Sequence, residues 1–109
     1  MAELLSPAGN FEKMETALRY GADAVYLAGQ LFGMRSAADN FTVDELYRAV
    51  DYAHARQKKV YLTVNTMPHG YEYDLLRKFL TDIAHAGIDA MIIADLGVVA
   101  TVKQQLPDM

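Results

Sequence analysis

The sequence predicts an α/β fold of four consecutive βα units, and three observations carry that prediction. The phrase Gly21-Ala22-Asp23-Ala24-Val25-Tyr26-Leu27-Ala28 returns as Gly87-Ile88-Asp89-Ala90-Met91-Ile92-Ile93-Ala94. Each copy follows an amphipathic run and opens an apolar one, so it reads as a helix-to-strand joint, with glycine as the left-handed residue past the helix end. The apolar runs lack the alternation of a half-solvated strand, which points to a parallel sheet buried on both faces. The units also recur at about 30 residues, the length of one strand with its crossover helix. Two architectures satisfy this pattern: half of a TIM-like (β/α)8 barrel, or a small doubly wound parallel sheet.

Taken in order, Glu3-Leu4-Leu5-Ser6 is the first strand, stopped by Pro7-Ala8-Gly9. Asn10 is the N-cap of a helix whose buried stripe is Phe11, Met14, Ala17 and Leu18. The second strand runs over Ala24–Ala28, followed by the longest irregular stretch, Gln30 to Phe41. A loop of that length in a compact domain is usually functional. Thr42 and Glu45 have capping-box spacing, and Phe41 with Leu46 forms the hydrophobic staple around them. Leu46, Val50 and Ala53 make the stripe of this second helix. Its exit carries Gln57 where the repeated joints carry glycine, so either Gln57 turns left-handed at a cost or the helix ends differently. Val60–Val64 is the third strand, and Asn65 to Gly70 its loop. Leu75, Leu76, Phe79, Leu80, Ile83 and Ala84 form the third helix face, which stops at Gly87. Ala90–Ala94 is the fourth strand, and Asp95 caps a last helix through Val98, Val99, Val102 and Leu106, ended by Pro107.

The 109 residues make one domain, 1–109, with one core. A net charge of −4 gives no electrostatic case for a nucleic-acid surface built on clustered Lys and Arg. No apolar run approaches the about 20 residues of a membrane span, and the N-terminus lacks the pattern of a signal peptide, so a cytoplasmic protein without membrane partners is expected. With no cysteine, disulfides, thiolate catalysis and cysteine-held metal or iron–sulfur centres are excluded within this chain. If the fold is a half barrel, two parallel edges and one sheet face lack partners. The remaining half of a barrel, or a second copy of the chain in a homodimer, is then expected to cover them.

In βα folds ligands bind where the strands end and the βα loops gather. That rule selects Ser6, Arg35, Asn40, Asn65, His69 and Asp95 as substrate-binding candidates; the catalytic residues are not assigned. Ser6 is a nucleophile or a turn residue before Pro7, and it lacks a nucleophile elbow. Arg35 offers a planar fork for an anionic substrate, or a loop ion pair. Asn40 shapes the helix entry or contacts ligand, and Asn65 tethers loops or contacts ligand. His69 is the histidine placed for acid–base work, or an exposed loop residue. Asp95 caps the last helix or binds ligand. His54 and His85 lie near helix C-termini, where an imidazole complements the dipole. Asp23 and Asp89 sit at the opposite end of the sheet as turn formers. No metal-ligand cluster stands out.

Glu3-Leu4-Leu5-Ser6-Pro7-Ala8-Gly9-Asn10 and Tyr20-Gly21-Ala22-Asp23-Ala24-Val25-Tyr26 resemble the opening of the U32 peptidase family, the collagenase-like proteases. Phe32-Gly33-Met34-Arg35, Asn40-Phe41, Ala53-His54-Ala55, Lys58-Lys59-Val60-Tyr61, Asn65 and His69 follow in the family's order. Asp39 and Gln57 stand where glycine is expected in many members. The resemblance implies the N-terminal half of a TIM-like barrel. It also implies a full-length protein that is either a protease or a hydroxylation enzyme. The hydroxylation is of a tRNA wobble uridine, an rRNA cytidine or a ubiquinone precursor, using prephenate and an iron–sulfur cluster on four cysteines. Those cysteines would lie beyond this chain, so the fragment alone is expected to be inactive. Arg35, Asn65 and His69 are the contacts the resemblance carries over. The alternative of another class is a non-catalytic half-barrel binding or assembly module.

Overall fold

A computed structural model describes residues 3–29, 41–64, 70–93 and 96–107. The four expected units are present: β1 (Leu5–Pro7), α1 (Phe11–Arg19), β2 (Ala24–Ala28), α2 (Val43–His54), β3 (Lys59–Val64), α3 (Glu72–Ile83), β4 (Ala90–Ile93) and α4 (Leu96–Gln105). The strands form one parallel sheet in the order β1-β2-β3-β4. That order has no reversal, so right-handed crossovers carry every helix to the same side. The helices accordingly pack in sequence, α1 on α2, α2 on α3 and α3 on α4. This is the winding of half a (β/α) barrel; a doubly wound sheet needs a point where the strand order turns back.

The core lies between that helix layer and one face of the sheet. Val25, Leu27, Val60, Leu62 and Val64 meet Met14, Leu46, Val50, Leu76, Leu80 and Val98, all at most 2% exposed. The stripe predicted for α2 is buried, and of the α1 stripe Met14 and Leu18 are buried while Phe11 and Ala17 are partly so. On α3 the stripe is narrower than expected, because Leu75 and Ala84 fall to its solvent side and only Leu76, Phe79, Leu80 and Ile83 are buried.

Local signals end the helices as their chemistry requires. Asn10 Oδ1 accepts the Lys13 N–H at 2.8 Å, and Thr42 and Glu45 close the capping box from both sides. Gly21, at φ 104°, closes α1 with paired bonds from Gly21 N to Leu18 O and Ala22 N to Ala17 O. Gln57 does the same for α2 at φ 61°, with Gln57 N to His54 O and Lys58 N to Ala53 O. The left-handed alternative is therefore the one taken, at the strain a side chain bears there.

Pro7 does not stop β1 but is its last residue. Ala8 N–H donates to Tyr26 O and Leu4 N–H to Asp23, so the even-numbered residues face β2. Alternation turns Pro7 toward the free edge, where its missing N–H costs the ladder nothing.

The repeated phrase is a register clamp. Asp23 Oδ2 accepts the Leu4 N–H at 2.8 Å, and Asp89 Oδ2 accepts the Val60 N–H at 2.7 Å. In each copy the carboxylate sits one residue before the paired strands, Leu5 beside Ala24 and Tyr61 beside Ala90. These aspartates were expected to form turns; they also tie the neighbouring strand. His54 is corrected with them. Its Nε2 lies 2.8 Å from Asp89 Oδ2, so the imidazole answers a carboxylate on the next unit as well as its own helix end.

Candidate functional site

The strands end together at one rim. Pro7-Ala8-Gly9-Asn10 leaves β1, Gly29 leaves β2, and Val64 and Ile93 close β3 and β4. Gly29 pairs across to Phe41, whose N–H donates to Ala28 O at 2.8 Å, so Phe41 lies beside the end of β2 just before α2 begins. A Cβ on Gly29 would lie 2.6 Å from Phe79 Cζ. The rim is glycine there because α3 leans its Phe79 ring against the backbone.

Five of the six predicted contacts, Arg35, Asn40, Asn65, His69 and Asp95, lie outside the described residues. Ser6 is described. It is in register with Val25, a helix-facing residue, so it shares the helix side of the sheet. There it borders a shallow groove of about 490 Å³ with Asn10, Lys13, Thr16 and Ala17. Its hydroxyl donates to the Pro7 carbonyl at 3.3 Å, not to an imidazole or carboxylate.

The other face of the sheet carries polar groups that the sequence reading passed over. Tyr26, Tyr61 and Thr63 alternate with core residues and stay partly accessible, among Leu5, Ala28 and Ile92. Leu5 is 41% and Ile92 42% exposed, so no described element covers this face. Thr63 Oγ1 donates to Leu27 O at 3.2 Å, tying β3 to β2. Tyr61 Oη lies 3.0 Å from both carboxylate oxygens of Glu3, which reaches across β2 from the start of the chain. Ala24, in the row between Leu5 and Lys59, is fully buried yet lies outside the main core cluster. Its short side chain leaves room for the bridge. The signal for this face was the alternation Val60-Tyr61-Leu62-Thr63-Val64, polar at every second position.

The hydrogen bond to Glu3 raises the Tyr61 phenol above its ordinary value, with partial burial and the charges of Glu3 and Asp89 acting in the same direction. A group raised on folding stabilises the fold fully below its unfolded value, and loses that contribution as pH climbs through the folded one. The stability difference between the wild type and Tyr61→Phe should therefore be constant up to about pH 10 and shrink above it. Urea titrations at stepped alkaline pH read this directly; a difference that widens above pH 10 contradicts the Glu3 bond.

Among the described residues no group of three His, Cys, Asp or Glu is placed to hold a metal ion, and no helix is long and apolar enough to cross a membrane. What the described part offers is a rim of strand ends above a half-open face carrying phenols, a hydroxyl and a carboxylate. A family model for peptidase family U32 matches residues 9–109.

The chain belongs to peptidase family U32.

Relatives of this U32 chain bear several names. It is 40% identical over 107 residues, 98% of the chain and 25% of the relative, to tRNA hydroxylation protein P1 of Bacillus subtilis. It is 38% identical over 96 residues, 88% of the chain and 14% of the relative, to a 23S rRNA 5-hydroxycytidine synthase of Escherichia coli. It is 34% identical over 95 residues, 86% of the chain and 23% of the relative, to a collagenase of Porphyromonas gingivalis. The U32 chain thus spans about a quarter or less of the length of these relatives. Tyr26, Asn65 and His69 lie inside the matched region, 9–109, whereas Glu3 and Ser6 precede it.

Proposed function

We propose that this chain is the N-terminal half-barrel of a cytoplasmic U32 protein that hydroxylates RNA, at a tRNA wobble uridine or an rRNA cytidine. The observation that carries the reading is the likeness, over nearly the whole chain, to relatives named for tRNA hydroxylation and for 5-hydroxycytidine synthesis. The one-sided parallel sheet supports it, because such a sheet leaves its inner face and rim for a second set of βα units to complete. In this reading Arg35, Asn40, Asn65, His69 and Asp95 contribute contacts from one half of the rim, and Ser6, on the helix side of the sheet, does not. Arg35 takes phosphate through its fork, and His69 moves a proton at the base or ribose. With half the loops absent, the 109 residues have no turnover of their own.

An iron–sulfur cluster does not fit the residues present. The chain has no cysteine thiolate to bind iron. Any such cluster belongs to the portion outside this chain.

The test is a chimera in which this chain replaces the matching quarter of the Bacillus subtilis relative, in cells lacking that relative. Hydroxylated uridine in bulk tRNA is then measured by mass spectrometry. The chimera should restore the modification. Arg35→Ala and His69→Ala should each lower it by about tenfold or more while the protein stays soluble, the scale of one lost acid–base or anion contact. Full modification by both variants overturns the site. A chimera that folds but leaves tRNA unmodified and cleaves peptides favours the protease name. The module reading is favoured by the open sheet face, and a folded chimera inert in both assays selects it.

A further inference from the structure

We infer that Tyr26 is a substrate-contact residue of the proposed RNA site, its phenol donating a hydrogen bond to a carbonyl of the target pyrimidine. Among the described residues three hydroxyls stand on the inner face of the sheet, and two are committed within the chain. Tyr61 Oη donates to the Glu3 carboxylate at 3.0 Å, and Thr63 Oγ1 donates to Leu27 O at 3.2 Å. Tyr26 is in register with Tyr61 on the next strand, and no described residue bonds its hydroxyl. The two phenols share a height and a chemistry, yet the fold gives only one of them an acceptor. The other is half-buried with its donor still to place.

The room beside Tyr26 is on the rim side. Toward the amino end of β2 the next residue on this face is Ala24, fully buried where the Glu3–Tyr61 bridge passes. Toward the carboxyl end the next is Ala28, partly exposed, and Gly29 follows. On β2, then, nothing larger than a methyl stands between the phenol and the end of the strand, about 7 Å further on by the strand rise. Ligands of βα folds bind at that end.

A longer protein leaves this slot in place. New strands extend the sheet at β1 and β4, whereas β2 already has β1 on one side and β3 on the other. Further βα units therefore approach Tyr26 only from across the barrel. An acceptor arriving from there would make the hydroxyl count in stability, which substrate contact does not. Uridine and cytidine both carry an O2 carbonyl, an acceptor suited to a phenol O–H, so one contact serves either target. The inference rests on the RNA reading and adds to it a residue below the rim.

The test is Tyr26→Phe, which removes only the hydroxyl, in the chimera with the Bacillus subtilis relative. Two quantities are read: the rate at which hydroxylated uridine accumulates in tRNA after induction, and the melting temperature of the purified chimera. The rate should fall about threefold to tenfold, the worth of one neutral hydrogen bond, with the melting temperature unchanged. Ala28→Leu, which fills the slot above the phenol, should lower the rate at least as much. Tyr20→Phe, equally conservative but at a residue 81% exposed at the end of α1, should leave it unchanged. A full rate in either inner-face variant overturns the contact, while the wild-type chimera's activity keeps the RNA reading. A slower Tyr26→Phe that also melts earlier overturns it too, because the hydroxyl then serves the fold. A folded wild-type chimera inert toward tRNA overturns the RNA reading and the contact with it.

Discussion

Asp89→Ala should destabilise the domain by about 1–3 kcal/mol, the penalty for leaving a sequestered N–H without an acceptor. The carboxylate has two clients, the Val60 N–H at 2.7 Å and His54 Nε2 at 2.8 Å, and the Val60 donor sits where water reaches poorly. Asp89→Asn keeps one oxygen for the Val60 N–H and should recover part of the loss. Asp23→Ala removes the equivalent bond to Leu4 at the exposed first edge, where water can replace it, and should cost less. Urea unfolding at one fixed chain concentration measures all three. A double-mutant cycle of Asp89→Ala with His54→Ala separates the two clients, since residues in contact fail to add. If Asp23→Ala costs as much as Asp89→Ala, burial is not what sets the strength of the clamp.

Gly29→Ala should cost about 1–3 kcal/mol, as overpacking does in a filled core. The added methyl would come within 2.6 Å of Phe79 Cζ and 3.4 Å of Leu46 Cδ1, and Phe79 is nearly buried, so the ring has little freedom to retreat. The conformation of Gly29 is one any residue can adopt, because its φ is not positive. The effect is therefore steric, and shortening the ring should relieve it. Phe79→Leu in the Gly29→Ala background should be less harmful than Phe79→Leu alone, again by urea unfolding. Additive losses would mean that the backbone moves and the ring does not matter.

The element boundaries were legible because the chain marks them locally. Asn10, the Thr42–Glu45 box and Gly21 act within one turn of the residue that carries the signal, whereas left-handed Gly87 follows four residues after α3 has ended at Ile83. Gln57 shows the limit of such reading: its sequence left two helix endings open, and the two bonds to His54 O and Ala53 O select one. Functions that depend on distant partners were not legible. Nothing local in Gly-x-Asp says that the carboxylate will hold the N–H of a neighbouring strand, 19 residues away at Asp23 and 29 at Asp89. The same holds for Glu3 and Tyr61, which meet 58 residues apart. The inner face was legible in β3 alone. Tyr61 and Thr63 break its apolar run at period two, whereas β2 does so only once, at Tyr26, and β4 is apolar on both faces, so neither shows the alternation. Of the site, Ser6 is assigned to the helix side by its register with Val25, and the other five candidates lie outside the described residues.

Pro7 makes the two sheet edges unequal as templates for misassembly. Stacking β1 strands on one another would forfeit one N–H···O bond per added layer, because Pro7 has no donor to offer, and growth there is unfavourable. The Ala90-Met91-Ile92-Ile93 edge has no such interruption, no charge and strong strand formers, with Asp89 as its flanking gatekeeper. Fibrils of this chain should thus nucleate at β4. Ile92, within that edge, is then where one lysine protects the isolated 109 residues in storage, and β1 needs no engineering.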